Sequence, residues 1–367
     1  MPTVADIAAD LDAFAPTATA AEWDNVGLLL GDSPAPVTHI LTCLTVTPEV
    51  AAEAVAAGAQ LIVTHHPILF RGIKRLTTAT AEGRMLLSLA SAGVAVYSPH
   101  TAFDNCAGGI NDSLAAKLSL TNVKPLRPRD AARSCKLVAF VPDGDLAKVS
   151  DALFAAGAGR IGEYRECSFR LQGTGTFFGG DTTNPTVGQK GRREEVAEWR
   201  LEVVCPEGGV ERVVAALRSG HSYEEPAFDV YPLRPARSPL GEGRIGRLKS
   251  SQTLGEVALG LRKSLACGPV QVVGELAKPV ATVALACGAA GEFLTDAVRA
   301  KADLFVTGEA RFHDYLSAQA QGIALVLPGH YATERFGVEE LAARLAAKWP
   351  GLSVTASAAE RDPVTWV

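Results

Sequence analysis

Apolar and polar positions along the chain fall into two rhythms. Behind Thr3, the run VADIAADLDAFA repeats its apolar residues at helical spacing, which predicts a capped amphipathic helix. WDNVGLLLG reads as a turn leading into a short strand. From HILTCLTV onward, short apolar runs alternate with amphipathic ones: PEVAAEAVAAG, LIVTH, GRMLLSLASAG, VAVYS and NDSLAAKLSL. Strands separated by helices of this length predict a parallel or mostly parallel sheet.

After about residue 120 the rhythm changes. TNVKPLRPRDAARS is polar and proline-bearing and reads as a linker. KLVAFVP, GDLAKVSDALFAAGAG, RECSFRLQGTGTFFGG, WRLEVVCP, GGVERVVAALRSG and PAFDVYPL then give the order βαββαβ, a ferredoxin-like α+β pattern. RPARSPLGEGRIG makes a second boundary, after which the α/β rhythm returns. The expected fold class is therefore α/β, with two similar halves interrupted by an inserted ferredoxin-like domain. The expected boundaries are 1–125 for the first half, 126–240 for the insert and 241–367 for the second half.

The halves echo one another. HILTCLTVTPEVAAEAVAAGAQLIVTHH overlays ATVALACGAAGEFLTDAVRAKADLFVTGE, and GVAVYSPHTAFD overlays GIALVLPGHYATE. In each half a strand ends near Pro, and a histidine is followed four residues later by a carboxylate: His100 and Asp104, then His330 and Glu334. That spacing puts both groups on one face of a helix.

Composition narrows the chemistry. The formal net charge is -5, which argues against a nucleic-acid groove, and the basic stretches KPLRPRDAAR and RLKSS read as solvated linkers. The seven cysteines are scattered without a CxxC pair and read as reduced, mostly buried residues of a cytoplasmic protein. Residues 1–20 lack signal-peptide character, and no apolar run approaches a membrane span.

Five of the seven histidines fall at or just past predicted strand ends: His65, His66, His100, His313 and His330. Ligands of open α/β sheets collect there. Imidazoles converging with Asp104 and Glu334 suit Zn, Fe, Mn or Co. Adjacent His65 and His66 at the end of an extended strand are expected to point to opposite sides of the chain, serving two ions with Glu334 as a bridge. His39 and His221 lack a carboxylate at such spacing and read as structural. Asp24 in WDNVG reads equally as a neighbour of the site and as a turn cap.

The set WDNVGL, THHP, HTAFD, TGEARFHD and GHYATE resembles the Nif-three-like family of dinuclear metal-centre proteins, whose members include type 2 homologues of GTP cyclohydrolase I. The inserted segment, with CSFRLQGTGTF and HSYEEPAFDVYPL, resembles the PII/CutA-like domain of that family's long form. The resemblance implies two divalent ions per chain on His65, His66, Asp104, His330 and Glu334. It places His100 and His313 nearby as supporting or proton-transferring residues. It also implies a homohexamer with inward-facing sites. Glu309 stands where relatives carry Asp and is left outside the ligand set.

Two functions follow as expectations. One is a metal-dependent hydrolase in which water activated by the cations attacks a phosphate ester, an amide or a purine ring carbon. The other is a non-catalytic metal-binding or regulatory scaffold. Within the insert, GTGTFFGGDTTNPTVGQKGRR reads as a long hairpin loop rather than a phosphate cradle, because it matches neither GxGxxG nor GxxxxGK[ST].

Overall fold

A computed structural model describes residues 1–130, 133–234 and 237–365. They form two compact units, residues 1–129 with 239–367 and residues 130–238.

In the first unit, the helix Val4–Phe14 begins at Thr3, whose hydroxyl and the Asp6 carboxylate cap one another's backbone. Strands β1 (Gly27–Leu30), β2 (His39–Cys43), β3 (Leu61–Thr64) and β4 (Ala95–Ser98) follow. β3 and β4 are buried at every position, as expected for strands covered on both faces. The stretch read as a linker is instead β5 (Thr121–Asp130), the edge of a second sheet. Its Pro125 and Pro128 are tolerated because an edge strand leaves one side of its backbone unpaired.

The second unit contains β6 (Ser134–Pro142), β7 (Phe169–Phe178), β8 (Arg193–Pro206) and β9 (Phe228–Pro232). They form one antiparallel sheet in the order β7-β8-β6-β9. The helix Leu146–Ala155 separates β6 from β7, and Val210–Gly220 separates β8 from β9. Leu137, Ala139, Leu201 and Val203 pack with Val149, Leu153, Val213 and Leu217 of these helices. The alternate strand residues therefore project from the helix-free face.

The first unit resumes with β10 (Arg237–Thr253), β11 (Gln271–Val273), β12 (Pro279–Ala286), β13 (Leu304–Thr307), β14 (Ala324–Leu327) and β15 (Ser353–Ala356). Its two sheets run β1-β4-β3-β2-β15 and β11-β14-β13-β12-β10-β5. The strands β2, β3 and β4 are mutually parallel with antiparallel β1 beyond β4. The strands β12, β13 and β14 repeat this, with antiparallel β11 beyond β14. Equivalent loops of the two halves thus leave from equivalent strand ends. Between the sheets, Leu61, Val63, Val283, Val306 and Val326 share one core with Leu341 and Leu345 of the long helix His330–Lys348. Among the described residues no helix is long and apolar enough to cross a membrane.

Candidate metal centre

The backbone of β3 does not run straight past Thr64. His65 and His66 still donate their N–H groups to Cys43 O and Leu44 O, at 2.9 and 2.8 Å. The Thr64 hydroxyl, however, reaches both Leu44 O and His66 O, at 3.2 and 3.1 Å, and the chain bends. As a result the two rings do not diverge as an extended strand would require; their centroids are 5.1 Å apart and both face Glu334. Ser98, at the end of β4, donates to His65 O at 2.6 Å and fixes the bend from the other side.

The next loop out of β4 begins the helix His100–Asn105, and the loop out of β14 begins His330–Lys348. Each starts with a histidine and carries its carboxylate one turn later. Glu334 is 4% exposed and lies at the centre. Its Oε2 is 3.1 Å from His66 Nε2 and 3.0 Å from His330 Nε2. Its Oε1 is 3.9 Å from His65 Nε2, which is itself 3.7 Å from Asp104 Oδ1. Gly288 permits this arrangement. It has a φ of +66°, and a Cβ there would fall 2.2 Å from Glu334 Oε1.

Whether a cation fits can be judged from His65. The residue is 1% exposed, and neither ring nitrogen has a hydrogen-bond partner. Buried polar groups are almost always paired, and leaving one unpaired costs about 1–3 kcal/mol. Separations of 3.7 and 3.9 Å are too long for hydrogen bonds. They suit donors sharing one ion, since two atoms each about 2.1 Å from a metal lie about 3–4 Å apart. A nitrogen and oxygen donor set with no thiolate suits a borderline or hard divalent ion. The residues fit a metal.

The protonation states point the same way. Burial pushes the His65 imidazole well below its ordinary pKa, so it is neutral and able to ligate. Burial, then the charge of Glu334, raises Asp104 to about 7. Burial works against ionisation of Glu334, but hydrogen bonds from His330 and His66 hold it below the usual carboxylate range. Burial likewise opposes the charge on His330, yet bonding to Glu334 and to Glu309 raises it to about 9. Asp104 and Glu334 are thus two carboxylates close enough for one to raise the other's pKa, and a divalent cation would relieve that repulsion.

Three further side chains orient these groups. Thr45 Oγ1 lies 2.7 Å from His66 Nδ1, Glu309 Oε1 lies 2.6 Å from His330 Nδ1, and Asp24 Oδ1 lies 2.7 Å from His100 Nδ1. Each leaves Nε2 as the nitrogen turned to other work, the usual way a ligating histidine is fixed. Burial disfavours the charged Asp24, but bonds from His100 and Thr101 bring it to about 2. Burial also disfavours charging His100, and Asp24 outweighs it, raising the imidazole above its ordinary value.

Two cavities meet the cluster at His66 and His330. One, of about 430 Å³, is walled by Trp23, Phe70, His100 and Phe293; the other, of about 630 Å³, lies on the Glu309 side.

The sequence profile of Duf34/NIF3 (NGG1p interacting factor 3) matches residues 2–363. The chain belongs to the Duf34/NIF3 family. It is 39% identical over 357 residues to a Halalkalibacterium halodurans protein named GTP cyclohydrolase 1 type 2 homolog, covering 96% of each chain. The crystal structure of a Bacillus cereus protein related to NIF3 superposes with a TM-score of 0.78 at 36% identity, over 100% of this chain and 99% of that one. Staphylococcus aureus protein SA1388 superposes with a TM-score of 0.85 at 28% identity, over the same shares.

Within this Duf34/NIF3 chain, the fold brings together His65, His66, His100, Asp104, His330 and Glu334. One ring nitrogen from each of His65, His66 and His100 falls within 4.8 Å of the others, as do donors of His66, His330 and Glu334. His313 is not brought in; it lies exposed on the helix Phe312–Gln321 beside Phe312. His39 bonds Ala57 O and Thr355, and His221 bonds Phe140 O and Tyr223 N. Pattern reading left Glu309 aside and missed Thr45 and Cys287 altogether. The Cys287 thiol lies 3.2 Å from Asp104 Oδ1, and burial raises its pKa, so it is a neutral donor. The only sequence signal for these residues was their place just past the ends of β2, β12 and β13.

Proposed function

We propose that the chain is a metal-dependent hydrolase in which His65, His66, Asp104, His330 and Glu334 would hold two divalent ions. The observation that carries this reading is the split of Glu334 between two donor sets. Oε1 turns toward His65, whose Nε2 also faces Asp104, and Oε2 toward His66 and His330. Bound there, Zn, Fe, Mn or Co would supply Lewis acidity and lower the pKa of water. The chain's own residues do the rest. Asp24 engages His100 Nδ1, so proton transfer falls to His100 Nε2, on the wall of the smaller cavity. Trp23 and Phe70, 62% and 50% exposed with ring centroids 5.9 Å apart, stand at that cavity as an apolar contact for a substrate. A volume of about 430 Å³ accommodates a small organic molecule.

The reaction class is hydrolytic attack at a phosphate ester, an amide or a purine ring carbon; the last agrees with the name carried by the Halalkalibacterium relative. We take the βαββαβ unit to be the PII/CutA-like, ferredoxin-like insert of a long-form member, supported by its element order and strand order. The working form in this reading is a cytoplasmic homohexamer. Phe312 and Leu316, 67% and 47% exposed on one face of their helix, support contact with another copy.

A screen of metal-loaded protein on phosphodiester, nucleotide and peptide-like amide substrates tests the reading. His100→Gln should lower turnover by about 10²–10⁴-fold, whereas His221→Gln should leave it unchanged. Absence of turnover in every class, with both ions bound, would replace the hydrolase by a metal-binding scaffold.

A further inference from the structure

A feature the metal centre does not use lies in the second unit. A cavity of about 550 Å³ opens there on the helix-free face of the sheet. GTGTFF on β7 and YEEPA before β9, two stretches distant in sequence, wall it together. Apolar walls come from Phe140, Leu171 and Phe177. That size and mixture are those of a small-molecule pocket.

Charge decides what such a pocket takes. The basic residues following the hairpin do not line it: Lys190 is spent on Asp181 O at 3.0 Å and Arg192 on Glu194. Four charged side chains do line it. Arg200 is engaged by Glu202 at 2.9 Å, Glu225 by Arg218 at 3.1 Å, and Glu224 accepts Asn184 N–H at 3.0 Å. Glu198 and Glu224 make no ion pair among the described residues, and Glu198 is the one that stands beside a buried hydroxyl. Its carboxylate lies over Gly175, where a Cβ would come within 2.1 Å of Oε2, so the missing side chain makes room for it. Beside it the Tyr223 hydroxyl is buried, and no partner meets it at hydrogen-bonding geometry. Burial and the Glu198 carboxylate raise the phenol's pKa and keep it neutral.

We propose that this pocket binds a small organic cation with a flat apolar body, its charged N–H group held by Glu198 and the Tyr223 hydroxyl. A phosphate-bearing ligand is disfavoured because an unpaired carboxylate stands where the anion would lie. Pairing of an amidinium with a carboxylate is geometrically specific and charge-assisted. The site is independent of the metal centre, so its failure would leave the hydrolase reading untouched.

Benzamidine serves as probe, with benzoate and inorganic phosphate as anionic controls, titrated into the full-length protein by calorimetry. Saturable benzamidine binding is expected, with neither anion binding. Glu198→Gln should weaken it at least about tenfold and Tyr223→Phe about threefold, with metal content and circular dichroism unchanged. The proposal is overturned by absence of saturable benzamidine binding, by equal binding of benzoate, or by undiminished binding to Glu198→Gln. A change in oligomeric mass on Glu198→Gln would also overturn it, assigning this face to a second copy of the chain.

Discussion

On one side of Glu334, His65 is 1% exposed and neither ring nitrogen has a partner; on the other, the His66 and His330 side chains are 25% and 33% exposed and each is held through Nδ1, by Thr45 and Glu309. On the inner side, His65 lines neither cavity, although its neighbours Asp104 and Cys287 reach the wall of the smaller one, whereas His66 and His330 on the outer side line both. The inner half is therefore a poor hydrogen-bonding site that an ion would complete. The outer half is already bonded and needs only to give up a proton. In the proposed two-ion reading, that difference predicts a more tightly held inner ion and a more exchangeable outer one.

The strongest way to break the comparison is to remove what both sides share. Glu334→Gln should weaken both ions by more than about a hundredfold, since even partners behind the ligands are worth 10–100-fold. Equilibrium dialysis of the variant checks this. Retention of one tight ion would show that the two sides do not depend on a common carboxylate.

Glu309→Ala sharpens it next. Loss of the group orienting His330 should weaken the outer ion by about 10–100-fold while the inner one is unaffected. Competition against a chelator, following the two ions separately, reads the split.

His65→Leu should act in opposite directions with and without metal. Metal-free protein should gain about 1–3 kcal/mol in chemical denaturation, because a buried unpaired imidazole is replaced by an apolar group. The same variant should lose the extra stability that metal gives the wild type.

The smallest effect is one of pH. In metal-free protein His330 has its pKa raised from 6.5 to about 9. The folded state holds that proton more tightly, so its contribution is fully present below pH 6.5 and is lost as pH rises through about 9. Asp104, raised to about 7, obeys the same sign but has finished titrating by the upper part of this range. Melting temperature should thus fall between pH 7 and 9, and less steeply in Glu309→Gln. Metal affinity should rise over the same interval, since the ligand must lose its proton first.

Much of this was legible in the chain because strand ends announce themselves. LIVT, AVYS and ALVL are short apolar runs that stop at THHP, PHTAFD and PGHYATE, and the fold gathers all three stops around Glu334. The i, i+4 spacing located Asp104 and Glu334 on the faces of their helices. What escaped was whatever depended on contacts between elements separated along the chain. Glu309 on His330 requires the loops after β13 and β14 to meet, and Cys287 on Asp104 joins residues 183 positions apart. The bend at His65 was hidden too, since it depends on one Thr64 hydroxyl rather than on periodicity. The proline-bearing TNVKPLRPRD read as a linker because composition cannot show that an edge strand has a free side for proline.

The most direct test is metal content per chain by inductively coupled plasma mass spectrometry, on protein purified without chelator or affinity metal, beside Glu334→Gln. About two ions per chain in the wild type and none in the variant is the expected result. Content near zero in the wild type that persists after reloading with Zn, Mn, Fe and Co would contradict the account, as would an unchanged content in Glu334→Gln.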